Sequence, residues 1–252
     1  MSRPIQFYLR NEIAREAFPL IPVPIPAVEG IGDWFERVPV YSNCPAALEN
    51  PHAWRQTVKG CSPFLDAMGT GYLIRSFCDI EVEVGLQHGI EEGRFRLTSR
   101  FDGFEPTSYH EPWQFEGHPL GRAWNCMLAG KFQNPWVVKT PPGVSCMFCH
   151  PRLNDPDPRF HTLAGVVATD IYPMPVELPF LVNCKEYAGT NFMIRMGTPI
   201  CLVIPFRRED WKMHVGTLDA NSSLEARQGI RKLTGHLRGA FNRYWRKRNR
   251  YR

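Results

Sequence analysis

Apolar residues along this chain come in short runs, separated by Gly, Pro and Asn, and the runs have the length of strands. Tyr72–Ile74, Ile80–Val84, Trp136–Val138, Val144–Cys149, Val176–Val182 and Ile200–Ile204 are the clearest. They predict a mainly β core over residues 56–206, in the form of a small barrel or jelly roll. Residues 86–130 read as an irregular insertion carrying Phe95, Phe101, Phe104, Tyr109, Trp113, Phe115 and Trp124.

Residues 1–55 read as an N-terminal extension. Leu20-Ile21-Pro22-Val23-Pro24-Ile25-Pro26 alternates Pro with apolar residues. Pro fixes φ and keeps its predecessor out of the helical region, so this stretch is extended. It suits a polyproline ligand for a partner or, more simply, an arm lying along its own domain or a neighbouring subunit. Residues 207–252 change character again. Asn221–Ser223 offers an N-cap to a helix with Leu224, Ile230, Leu233, Leu237, Phe241 and Trp245 on one face. Gly229, Gly235 and Gly239 each weaken that helix by about 1 kcal/mol relative to Ala.

Composition narrows the picture. With 43% hydrophobic and 22% charged residues, the 252-residue chain fits a globular protein and neither a disordered nor a fibrous one. No run approaches the ~20 apolar residues of a membrane span, and the N-terminus lacks the apolar segment of a signal peptide. Eight cysteines without an export signal read as reduced thiols, so a cytoplasmic protein is expected. The net charge of +5 belongs to the tail: residues 227–252 hold ten Lys or Arg and no Asp or Glu, leaving residues 1–226 at −5. Arg243, Arg246, Lys247 and Arg248, interleaved with Tyr244 and Trp245, suit nucleic-acid phosphates and bases, an anionic membrane surface, or the chain's own acidic core.

Four ordered segments resemble the dUTPase/dCTP deaminase superfamily, which has a β-clip fold. They are Asp66–Leu73 with Asp79-Ile80; Pro141–Val144 with Pro151-Arg152; Ala164–Asp170; and Asn183 with Phe192–Leu202. The segment around Lys139–Gly143 also resembles a phage-encoded group, for which host cytoplasm or virion would be the location. The resemblance implies a homo-oligomer, a trimer in the family's pattern, and a nucleotide or other anionic ligand held by Arg152, Gly165, Thr169 and Asp170, with Mg²⁺ as the accompanying cation.

The reactive positions do not carry over. The family activates water with a carboxylate, and Ala168 stands at the dUTPase position while Phe180 stands at the deaminase one. Leu153 replaces a phosphate-binding Ser, and Leu202 replaces a Gln. Asp170 is the weak catalytic candidate, though an Asp in this setting more simply caps a turn. Glu177 is expected to point to solvent. A binding protein without orthodox dUTPase or deaminase chemistry is therefore expected, against the alternative of a phage-type structural protein whose tail contacts nucleic acid.

Cys146-Met147-Phe148-Cys149-His150 matches the pattern for haem c attachment, and with His161 it would supply Zn²⁺ ligands. On a strand, however, residues three apart face opposite sides. One inward and one outward cysteine is the simpler reading. His110-Glu111-Pro112-Trp113 lacks a distal His for an iron triad and reads as a loop.

Overall fold

Strands form where the pattern alternates. In Ile80-Glu81-Val82-Glu83-Val84 the three apolar side chains are buried and the two glutamates between them are half-buried, as a pleated strand with one face on a core requires. The computed structural model describes residues 4–11, 13, 15–49, 57–86, 89–154 and 157–217, together with 219, 221, 223, 224, 227 and 228. It is mainly β, with fourteen strands among the described residues: β1 Gln6–Leu9, β2 Ile25–Pro26, β3 Tyr72–Arg75, β4 Ile80–Val84, β5 Phe95–Ser99, β6 Thr107–Tyr109, β7 Gly130–Phe132, β8 Trp136–Lys139, β9 Val144–Cys149, β10 Phe160–Thr162, β11 Gly165–Val167, β12 Leu178–Val182, β13 Asn191–Ile194 and β14 Pro199–Arg207.

The strands pair antiparallel in four sheets, ordered β11-β9-β14-β3-β2, β10-β12-β7-β6, β13-β4-β5 and β1-β8. Among the described residues these sheets keep open edges and do not close into a barrel, which corrects that part of the expectation. The main core gathers Phe132, Phe148, Phe160, Phe180 and Trp136 with the inward residues of the other strands. The five-stranded sheet is covered on both faces. Cys146, Phe148, Cys201 and Val203 enter the main core, while Cys149, Leu202 and Leu73 turn to a second cluster with Ala27. That explains why Ile200–Ile204 is continuously apolar, as strands buried on both faces are.

Residues 86–130 are not an irregular insertion. Phe95-Arg96-Leu97-Thr98-Ser99 alternates and pairs with β4, and Thr107–Tyr109 pairs with β7. Some of this segment's aromatics join the core: Phe95 is buried, and Phe101 packs edge-on against Phe77 at 5.1 Å. The N-terminal residues lie along the chain's own sheets, through β1 on β8 and β2 on β3, with Ile13, Ile21 and Ala27 buried.

The chain divides into two units. The first comprises residues 1–39 and 67–208 and holds all the sheets; the second comprises 40–66 and 209–252. In the second, Thr57 caps the turn Val58–Gly60 by accepting from the Lys59 N–H at 3.3 Å. The expected C-terminal helix falls mostly outside the described residues, as do Arg243, Arg246, Lys247 and Arg248. No helix among the described residues is long and apolar enough to cross a membrane.

Candidate functional site

The Gly165–Asp170 turn is a locked corner. Thr169 is buried, its hydroxyl 2.7 Å from that of Thr140 and 3.3 Å from the Cys146 sulfur. Asp170 accepts two hydrogen bonds from the Arg208 guanidinium, one at 2.7 Å, and one from the Gly143 N–H at 2.8 Å. Arg208, with Gly143 assisting, holds its carboxyl down at about 2. A carboxylate so held, with both oxygens engaged, is a poor acceptor for a proton near neutrality. It ties the turn at Pro141–Val144 to the end of β14.

Arg152 is exposed on the loop after β9, beside Cys149 and His161. The register Gly165↔Phe148 and Val167↔Cys146 puts that loop at one end of β9 and the Asp170 turn at the other. The structure therefore does not bring Arg152 together with Thr169 and Asp170. Gly165 is exposed on an edge strand, and a β-carbon there would meet open space. Phe180 and Leu202 are core residues.

Cys146 and Cys149 fall in separate apolar clusters on opposite faces of β9. His150 is buried, lies tilted against the His161 ring at 4.6 Å, and accepts through Nδ1 from the Thr162 N–H at 3.2 Å. Burial first, then the neighbouring His161, push its imidazole down to about 4, against the pull of Asp157. The ring is thus neutral at physiological pH, with its proton on Nε2. Among the described residues no three His, Cys, Asp or Glu converge as metal ligands. Glu177 does not face solvent. It precedes β12, is half-buried, and its carboxylate lies 3.3 Å from Arg10 Nη1. Burial raises its pKa, and Arg10 and Lys131 oppose the shift.

A cavity that could take a ligand lies elsewhere. A cleft of about 590 Å³ opens between the 3₁₀ turn Pro112–Phe115, the helix Pro119–Ala123, the segment 125–128 and Arg94. Its walls are built by local chemistry. Pro112 and Pro119 each stand in the first turn of their helices, where a missing N–H costs nothing. Glu111 and Gln114 form a reciprocal capping box, and His118 Nδ1 accepts from the Leu120 N–H at 3.2 Å. The segment 125–128 is tied down by N–H donation from Cys126 to the Gly121 carbonyl and from Met127 to the Gly93 carbonyl, both at 2.8 Å.

Leu181, Cys126 and Gly121 are buried residues of the lining, while Trp113, 70% exposed, brings an indole to it. Arg122, which is exposed, and Arg94, whose guanidinium pairs with Glu91 at 2.9 Å, stand in the lining together with Glu116. Apolar walls with a few charged groups are the usual make-up of a small-molecule site, and the volume lies within the usual range. Sequence reasoning passed over these residues. The capping box and the two helix-starting prolines were the available signals, but neither says that the short helices enclose a space.

No protein-family model matches the chain, and no curated protein matches it in sequence.

Proposed function

We propose that the protein binds an anionic small molecule with a planar ring, such as a nucleotide, in the cleft beside Trp113. The carrying observation is the joint presence of an exposed indole and two guanidinium groups around an apolar cavity of about 590 Å³. An indole face stacks on a base, and a planar guanidinium pairs with phosphate oxygens through two hydrogen bonds. On this reading the chain is a repurposed member of a dUTPase-like lineage. Its ancestral turn, with Ala168 and the clasped Asp170, is structural, and binding has moved to the short helices after β6.

Calorimetric titration of uridine, cytidine and adenine nucleotides, with and without Mg²⁺, tests the reading. Trp113→Ala and Arg122→Ala should each weaken binding about tenfold, the scale of one stacking or charge-assisted contact. Arg152→Ala should leave it unchanged. Absence of heat with every nucleotide sinks the proposal, and so does an affinity that depends on Arg152 and not on Trp113.

A second reading, self-assembly as a homo-oligomer, is favoured by the edge strand β11. Val166 and the following Ile171, Tyr172 and Met174 leave large apolar side chains exposed there. Light scattering decides it: Ile171→Lys should reduce the assembly to monomers, and a wild-type chain that is monomeric at micromolar concentration rejects this reading.

A further inference from the structure

We propose that the protein dimerises by exchanging its 209–217 segments, each laid as an added strand along the β11 edge of a second copy. The inference rests on the self-assembly reading above and names the contact that makes it. Residues 209–217 are in neither helix nor strand, and every one of them is exposed. Within them Trp211, Met213 and Val215 are 86%, 91% and 81% exposed, apolar side chains at a spacing of two. That spacing puts them on one face once the backbone is extended, with Lys212 and His214 on the other. The segment is patterned as a strand, and no strand among the described residues pairs with it.

The same chain carries the complementary edge. β11 is the outer strand of its sheet among the described residues, so one side of its backbone is open to a further strand. Val166 stands exposed there beside Met147 of β9, and Ile171, Tyr172 and Met174 after it are exposed as well. An added strand with Trp211, Met213 and Val215 on the face of Val166 covers these side chains. Reach permits the exchange. β14 ends at Arg207 opposite Val144, and β11 ends at Val167 opposite Cys146, so the 209–217 segment leaves the sheet at the end where the Val167–Asp170 turn lies. Only β9 separates β14 from β11, a distance of about 10 Å across the sheet. Extended, residues 209–217 span about 30 Å. Two copies related by a two-fold axis each offer one segment and one edge, which makes the exchange reciprocal and closed. With about 100–150 Å² covered per apolar side chain, one segment on one edge buries roughly 900 Å². The reciprocal pair buries roughly 1,800 Å², the size of a stable protein–protein interface.

Sedimentation velocity at micromolar concentration reads the association, and cross-linking reads which segments meet. The parent chain should be a dimer. The W211E/M213E variant changes only exposed side chains and should be a monomer with an unaltered circular dichroism spectrum. For cross-linking, the exposed Cys44 and Cys61 are first replaced in a C44S/C61S background. In that background, a Val166→Cys chain and a differently tagged Met213→Cys chain should form a disulfide-linked pair when mixed and oxidised. A monomeric parent chain overturns the exchange and the self-assembly reading together. A dimer that persists in W211E/M213E, or one in which Val166→Cys chains link only to each other, overturns the exchange and leaves self-assembly standing.

Discussion

Gly130→Ala is a one-methyl test of how tightly the core around Phe180 is packed. Gly130 in β7 lies directly opposite Phe180 in β12. A β-carbon there would stand 2.5, 2.7 and 3.1 Å from three ring carbons of Phe180. Ordinary carbon contacts begin near 3.5 Å, so the ring would have to move by about 1 Å. It has nowhere to go: Phe180 is fully buried, stacked on Phe132 at 3.9 Å and 14°, with Phe160 edge-on at 6.0 Å and Phe95 also at 6.0 Å. Overpacking of this kind costs about 1–3 kcal/mol, offset by about 0.5–1 kcal/mol from the stiffer unfolded chain. The net expectation is a loss of about 1–2 kcal/mol, or about 2–8 °C in Tm for a chain of this size. Urea denaturation with an unchanged m-value is the assay. Phe180→Leu should recover part of the loss when added to Gly130→Ala, although it costs stability alone, because the two side chains compete for one volume. A Gly130→Ala protein as stable as the parent, or strict additivity of the two changes, would refute the reasoning.

Three further outcomes follow from the same structure. The Asp170 carboxyl is held at about 2, below the ~3.9 of an unfolded Asp, so its clasp on Arg208 is complete above about pH 4 and is lost as pH falls through 2. A carboxyl ¹³C titration with a midpoint near 4 would show that the clasp does not exist in solution. His150 takes up its proton near 4 when folded and near 6.5 when unfolded, so stability should fall between pH 6.5 and 4, by at most about 3 kcal/mol. The facing groups are His161 and Asp157, and urea curves for His150→Gln should lose most of that slope; an unaltered slope assigns it elsewhere. Gly71 has φ +94°, and a β-carbon there would lie 2.5 Å from the Val203 carbonyl oxygen, so Gly71→Ala should cost about 2–4 kcal/mol in thermal unfolding, with a loss under 1 kcal/mol contradicting the geometry.

The strands were legible wherever a short apolar run or a period of two stood between turn residues. Ile80–Val84, Val144–Cys149 and Ile200–Ile204 are all strands, with residues of Ile200–Ile204 turned to cores on both faces of the sheet. Phe95–Ser99 carried the same alternation and was passed over among irregular neighbours. The opposed directions of Cys146 and Cys149 also followed from the pleat, but neither faces outward: both are buried, Cys149 in the second cluster. Glu177 was misjudged because it lies just outside its strand, where alternation no longer applies, and its partner Arg10 is 167 residues away.

Local chemistry written in the sequence thus determined which segments are extended, where they turn, and that Ala168 and Phe180 cannot perform a carboxylate's task. The tertiary structure alone decided that Arg152 and Asp170 stand at opposite ends of one strand, that Arg208 closes on Asp170, and that Trp113, Arg122 and Cys126 share one cleft with Arg94. The reason is physical. A residue's conformational preference is set by its immediate neighbours in the chain, whereas a cavity or a clasp exists only between segments that folding brings together from distant positions.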